Sequence, residues 1–151
     1  MRLRNGDSMS EKMTRREARE AAFCLIFESD FREDEEREEL YANSVSNLEI
    51  PKNKYVKTVY FGLAENIADI DALIAKCSLG WKTERMTHVS RAILRLAVYE
   101  MLFMEDIPVR VTINEALELS KKYDEEKARA FVNGVLNAVK NSLPAEEESN
   151  G

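Results

Sequence analysis

This chain predicts an all-α fold, on three observations. Glycine and proline number only five and three in 151 residues, while charged residues reach 33%, a composition that suits helices better than turn-rich sheets. Apolar residues recur at spacings of three and four along most of the chain. No segment keeps the strict apolar–polar alternation of a half-buried strand. The length suits one domain, or two small bundles sharing a core, and is enough to fold without disulfide or metal. No apolar run approaches the roughly 18 residues of a membrane span. The start, residues 1 to 16, lacks the apolar core of a secretory signal.

Residues 1–12 are polar and are expected to be a flexible segment ahead of a single helical body over 13–142. In the first helix Thr14 and Glu17 stand at capping-box spacing. Ala18, Ala22, Leu25, Ile26 and Ser29 then share one face, and the helix is expected to end near Phe31. The run EDEEREE (33–39) opens a short amphipathic helix carrying Leu40, Tyr41, Val45 and Leu48. After Pro51 a long helix begins near Tyr55, with Val59, Leu63, Ile67, Ile70, Leu73, Ile74 and Cys77 in helical register and Gly80 as its end signal. Trp81 to Arg85 forms a bridge.

The next helix, Thr87 to Met104, turns Val89, Ile93, Leu96, Ala97 and Met101 inward. Pro108 marks a loop. Thr112 and Glu115 make a second capping box in front of Ile113, Ala116, Leu117 and Leu119. Tyr123 and Asp124 turn the chain into a last helix, Glu125 to Ser142, with Ala128, Phe131, Val132, Val135, Leu136 and Val139 buried. Residues 143–151 read as an acidic, solvated tail. Within the last helix, Asn133 and Gly134 stand between apolar pairs. Glycine costs roughly 1 kcal/mol against alanine in a helix interior, so close packing of another element on Gly134 is expected.

Few residues suit catalysis. There is no Gly-rich phosphate loop and no nucleophile elbow. The lone His88, near a helix start, reads as a surface or capping residue. Cys24 and Cys77 lie in apolar helical patterns and read as small core residues of a reducing cytoplasm. No metal-ligand spacing occurs and no cofactor is implied. The acids of EDEEREE read as a solvated face, because nothing there raises a carboxylate pKa. Arg95, set between Leu94 and Leu96, needs a carboxylate partner, for which Glu100 and Glu115 are candidates.

Charge is distributed unevenly. Net charge is −6, but residues 1–19 hold six Arg or Lys against three acids, and residues 28–39 hold eight acids against two Arg. Lys12, Arg15, Arg16 and Arg19 have spacings that place them within one arc of about 100° on a helix. Guanidinium groups at a helix N-terminus suit a phosphate ligand, although solvated arginines on a frayed terminus would look the same. Lys127 and Phe131 are one turn apart on the last helix and could offer a cation beside a stacking ring. Phe131 also fits the apolar period of a core residue.

Several segments together resemble the NusB family of transcription antitermination factors. Thr112-Ile113-Asn114-Glu115-Ala116, then Leu117-Glu118-Leu119, and Phe131-Val132-Asn133-Gly134-Val135-Leu136 match its C-terminal signature. Leu94-Arg95-Leu96-Ala97-Val98-Tyr99-Glu100 resembles its central helix, and Trp81 with Glu84 and Arg85 the segment before it. Thr14-Arg15-Arg16-Glu17-Ala18-Arg19-Glu20 resembles its arginine-rich first helix. The likeness spans about residues 13–140.

The resemblance implies two small helical bundles packed across each other, and RNA binding without catalysis in the cytoplasm. It implies boxA RNA of nascent ribosomal transcripts as ligand and NusE, a small-subunit ribosomal protein, as partner. Together they would assist RNA polymerase in reading past terminators. Arg15, Arg16 and Arg19, with Lys12 beside them, would inherit the RNA contacts of the first helix, and Lys127 and Phe131 would lie near the RNA. Some members dimerise, so a homodimer is a further expectation.

The chain departs from the family where Glu17 and Glu20 dilute the basic helix and where Asp124 replaces a common glycine. The first departure implies greater dependence on NusE. Two other readings remain. One is an RNA-targeting domain of the kind that precedes RNA methyltransferase domains, for which no cofactor-holding segment follows residue 151. The other is a non-catalytic helical interaction module.

Overall fold

The computed structural model describes residues 13–78 and 86–144. These residues form six helices and no strand: α1 (Arg15–Ser29), α2 (Arg37–Asn47), α3 (Lys54–Cys77), α4 (His88–Phe103), α5 (Val109–Tyr123) and α6 (Glu126–Ser142). They divide into two compact units, with the boundary after Asn66.

The boundary falls inside α3. Asn66 leaves helical geometry (φ −117°, ψ 17°), and its side-chain amide donates to the Gly62 carbonyl at 2.8 Å. An asparagine amide competing for a backbone carbonyl is a known way to bend a helix. The apolar period runs unbroken past this point, so it predicted a single helix with no bend.

In the first unit α1 starts as expected. Thr14 Oγ1 accepts from the Glu17 amide at 3.0 Å, and Glu17 Oε1 accepts from the Thr14 amide at 2.9 Å. Ala18, Ala22, Phe23, Leu25 and Ile26 are buried, as are Leu40 of α2 and Tyr55, Val56, Val59, Tyr60 and Leu63 of α3. Helices α1 and α2 pack together, and Tyr41 of α2 lies 5.1 Å from the Tyr60 ring and 4.9 Å from Phe61 of α3. Leu48, expected on the inner face, is exposed because α2 ends at Asn47 and the chain has already turned. Residues 31–39 are exposed throughout, and Arg32 bridges Glu28 and Glu35 there.

In the second unit α4, α5 and α6 pack on one another. Helix α4 is buried around most of its circumference, from Ala92 through Glu100 apart from half-buried Arg95. A helix apolar on nearly all sides belongs in a protein interior. Thr87 caps it through the Ser90 amide at 3.0 Å, and His88 is its exposed first residue, 3.2 Å from Arg91.

Arg95 forks onto Asp71 of α3, with Nε to Oδ1 at 2.9 Å and Nη2 to Oδ2 at 2.7 Å. The sequence reading names Glu100 and Glu115 as candidate carboxylates, and the fork falls on Asp71. Cys24 and Cys77 are half-buried free thiols rather than core residues. Gly80, the proposed stop signal, and the Trp81–Arg85 bridge lie outside the described residues, and α3 ends at Cys77.

The second capping box does not form. Helix α5 begins at Val109 with Pro108 as its N-cap residue, and the Pro108 carbonyl accepts from the Val111 and Thr112 amides. Thr112 therefore sits one turn inside the helix, buried, and its hydroxyl donates to Glu100 Oε1 at 2.7 Å. Glu100 is wholly buried, and a carboxylate in that position needs such donors. Gly134 also differs from expectation. It is exposed, as is Asn133, and a Cβ built on it would meet nothing within 4 Å. Among the described residues no packed element demands a small residue there.

Candidate nucleic-acid interface

The four cations expected on α1 occupy different environments. Arg15 and Arg16 are exposed. Arg19, one turn on from both, is only 4% exposed. Its helical position carries it toward the inner face with Ala18 and Ala22, so the arc drawn from spacing straddles the edge of the buried stripe. Lys12 lies outside the described residues.

The structure adds Tyr55 to this region. The Arg15 guanidinium carbon stands 4.7 Å from the centre of the Tyr55 ring, and that of Arg19 stands 5.8 Å from it. Both distances lie within the range in which an aromatic quadrupole attracts a cation. Sequence spacing had placed Tyr55 only as the start of a helix. Its 40-residue separation from Arg15 left no local signal that could pair them.

Lys127 and Phe131 are placed on α6 as the spacing predicted, four residues apart on one helix face. Lys127 is exposed and Phe131 half-buried, so the ring is neither a fully buried core residue nor a free platform. The exposed face of α6 continues through Ala130, Asn133, Gly134 and Lys140, and Asn137 donates to the Asn133 carbonyl and side chain at 2.9 and 3.0 Å. In the first unit Arg15 stands over the Tyr55 ring, whereas in the second Lys127 and Phe131 lie one turn apart on α6.

In the first unit Tyr41 has its phenol pushed above the ordinary tyrosine value, by burial first and by neighbouring Tyr60 second. That shift follows from the aromatic packing of α2 on α3. No helix of the described residues is long and apolar enough to cross a membrane.

The described residues are thus helices joined by short connections, in two compact units, with the guanidinium groups of Arg15 and Arg16 exposed at the start of the first helix. The NusB family model matches residues 16–141, and the chain belongs to that family. It is 42% identical to the transcription antitermination protein NusB of Natranaerobius thermophilus, over 87% of this chain and 97% of that protein. It is 44% identical to the protein of the same name from Agathobacter rectalis, over 82% and 97%. Among solved structures, it resembles T. maritima NusB, with TM-score 0.80, 35% identity and coverage of 93% of this chain and 99% of that one. A crystal structure of the antitermination factors NusB and NusE in complex with dsRNA contains a chain that matches with TM-score 0.77 and 32% identity, over 85% and 97%.

Proposed function

We propose that this protein is an RNA-binding transcription antitermination factor that acts with NusE on boxA RNA of nascent transcripts. The observation that carries this is the likeness over most of the chain to a protein solved together with NusE and dsRNA. The exposed guanidinium groups of Arg15 and Arg16 give the reading a physical basis, because they meet the requirements of phosphate recognition. Arg19 supports them from beneath, Lys12 extends the cationic start, and Lys127 and Phe131 supply a second contact. The protein works by assembly, without catalysis, in the cytoplasm. RNA and NusE complete one another's surfaces, and RNA polymerase is the machine so modified.

The test is fluorescence anisotropy with labelled boxA RNA, with and without NusE, over a salt series. Phosphate contacts make log affinity fall linearly with log salt, by about 0.7 per contact on a single strand. The expected result is boxA binding that NusE strengthens and salt weakens, and that Arg15→Ala with Arg16→Ala reduces. A scrambled RNA bound as tightly in the ternary mixture would overturn the proposal.

A further inference from the structure

We infer that Tyr55 is the positioning residue for Arg15, holding this guanidinium ready for an RNA phosphate. The inference rests on the RNA-binding function proposed above. Arg15 and Arg16 are neighbours on α1 and equally cationic, yet their surroundings differ. Arg15 is held over the Tyr55 ring at 4.7 Å. Among the described residues none takes a hydrogen bond or ion pair from it, whereas Arg16 and Arg19 both have further interactions. The cation is therefore located while, among the described residues, its N–H groups remain available. A guanidinium carries five donors in a planar fork that matches phosphate oxygens.

The ring itself is not the ligand's platform. Tyr55 is 7% exposed, so little of it is left for a base to stack on. It is also rigidly mounted. It is the second residue of α3, and that helix start is fixed by Asn53, whose Oδ1 accepts from the Val56 amide at 3.0 Å. A buried ring on a capped helix offers a fixed point against which an otherwise mobile arginine is ordered. Ordering the side chain before binding removes a cost that the complex would otherwise bear.

Arg15→Ala, Tyr55→Leu, Tyr55→Phe and the Arg15→Ala/Tyr55→Leu double variant are titrated with boxA RNA and NusE over a salt series, after circular dichroism confirms their fold. Tyr55→Leu should weaken binding about three- to tenfold, the cost of immobilising one long side chain, with the salt slope unchanged. Arg15→Ala should lower the slope by about 0.7, one single-strand phosphate contact. The double variant should bind no more weakly than Arg15→Ala alone, and Tyr55→Phe should restore what the leucine loses. Full affinity in Tyr55→Leu, or additive losses in the double variant, would overturn the inference, because a ring that merely supports the fold acts independently of Arg15.

A second measurement needs no RNA. In the free wild-type protein, NMR relaxation should show the Arg15 Nε–H group ordered like the backbone. A freely mobile Arg15 would overturn the inference even if the leucine variant does not fold. If instead wild type fails to distinguish boxA from scrambled RNA, the proposed function falls, and the relaxation result judges Tyr55 separately.

Discussion

Replacing Gly134 with alanine should stabilise the protein, and the sign of the change decides between two accounts of the residue. If another helix packed on the glycine, an added methyl would overpack the contact and cost about 1–3 kcal/mol. The structure leaves the position exposed, and an added Cβ would meet no packed element among the described residues. Only the backbone terms then remain. Alanine is favoured over glycine in a helix interior by about 0.8–1.0 kcal/mol, largely through the freedom glycine has in the unfolded chain. A gain of about 0.5–1 kcal/mol is expected, or roughly 1–4 °C in Tm for a chain of this size. Urea unfolding followed by circular dichroism measures it as a higher midpoint at unchanged slope. A destabilised Gly134→Ala variant would refute the reasoning and restore the close contact that the sequence suggested.

Two further outcomes follow from polar groups that are wholly or partly buried. Thr112→Val keeps the shape of the side chain but removes the donor to Glu100 Oε1, and should destabilise the protein by about 1–3 kcal/mol in the same urea assay; an unchanged midpoint would show that this hydrogen bond contributes nothing. Tyr41 has a raised pKa from burial and from Tyr60, so the folded state keeps its proton at a pH where the unfolded chain has lost it. Its contribution is fully present below the unfolded value of about 10 and declines as pH rises through the higher folded value. Tyr41→Phe should therefore flatten the alkaline loss of stability, measured as Tm against pH, and a profile matching wild type would contradict this.

Local chemistry was legible in the sequence where local chemistry decides the outcome. Thr14 and Glu17 cap α1 because both partners lie within one turn. The same Thr-x-x-Glu spacing at 112 and 115 misled, because the pattern does not reveal an acceptor twelve residues upstream. Glu100 takes the hydroxyl, and Pro108 had already begun the helix. Arg95 shows the same limit. Its need for a carboxylate followed from its apolar neighbours, while the identity of Asp71, 24 residues away, depended on how α3 and α4 meet. At the candidate interface, the cations were visible from spacing. Their division into exposed Arg15 and Arg16 and buried Arg19 was not, since one residue's rotation around a helix separates surface from interior. Tyr55 was invisible as a partner for the same non-local reason.

The bend at Asn66 has a consequence for how the longest helix comes apart. A continuous ladder of backbone hydrogen bonds tends to be lost cooperatively, whereas a lapse at one residue gives fraying a place to start in the middle. Helix α3 therefore has four ends in place of two, and its halves can open with different free energies, each governed by the unit it serves. Amide hydrogens near Asn66 should exchange with solvent water sooner than those of Val59 or Ile74, both wholly buried, so that one unbroken helix in the sequence keeps time with two clocks.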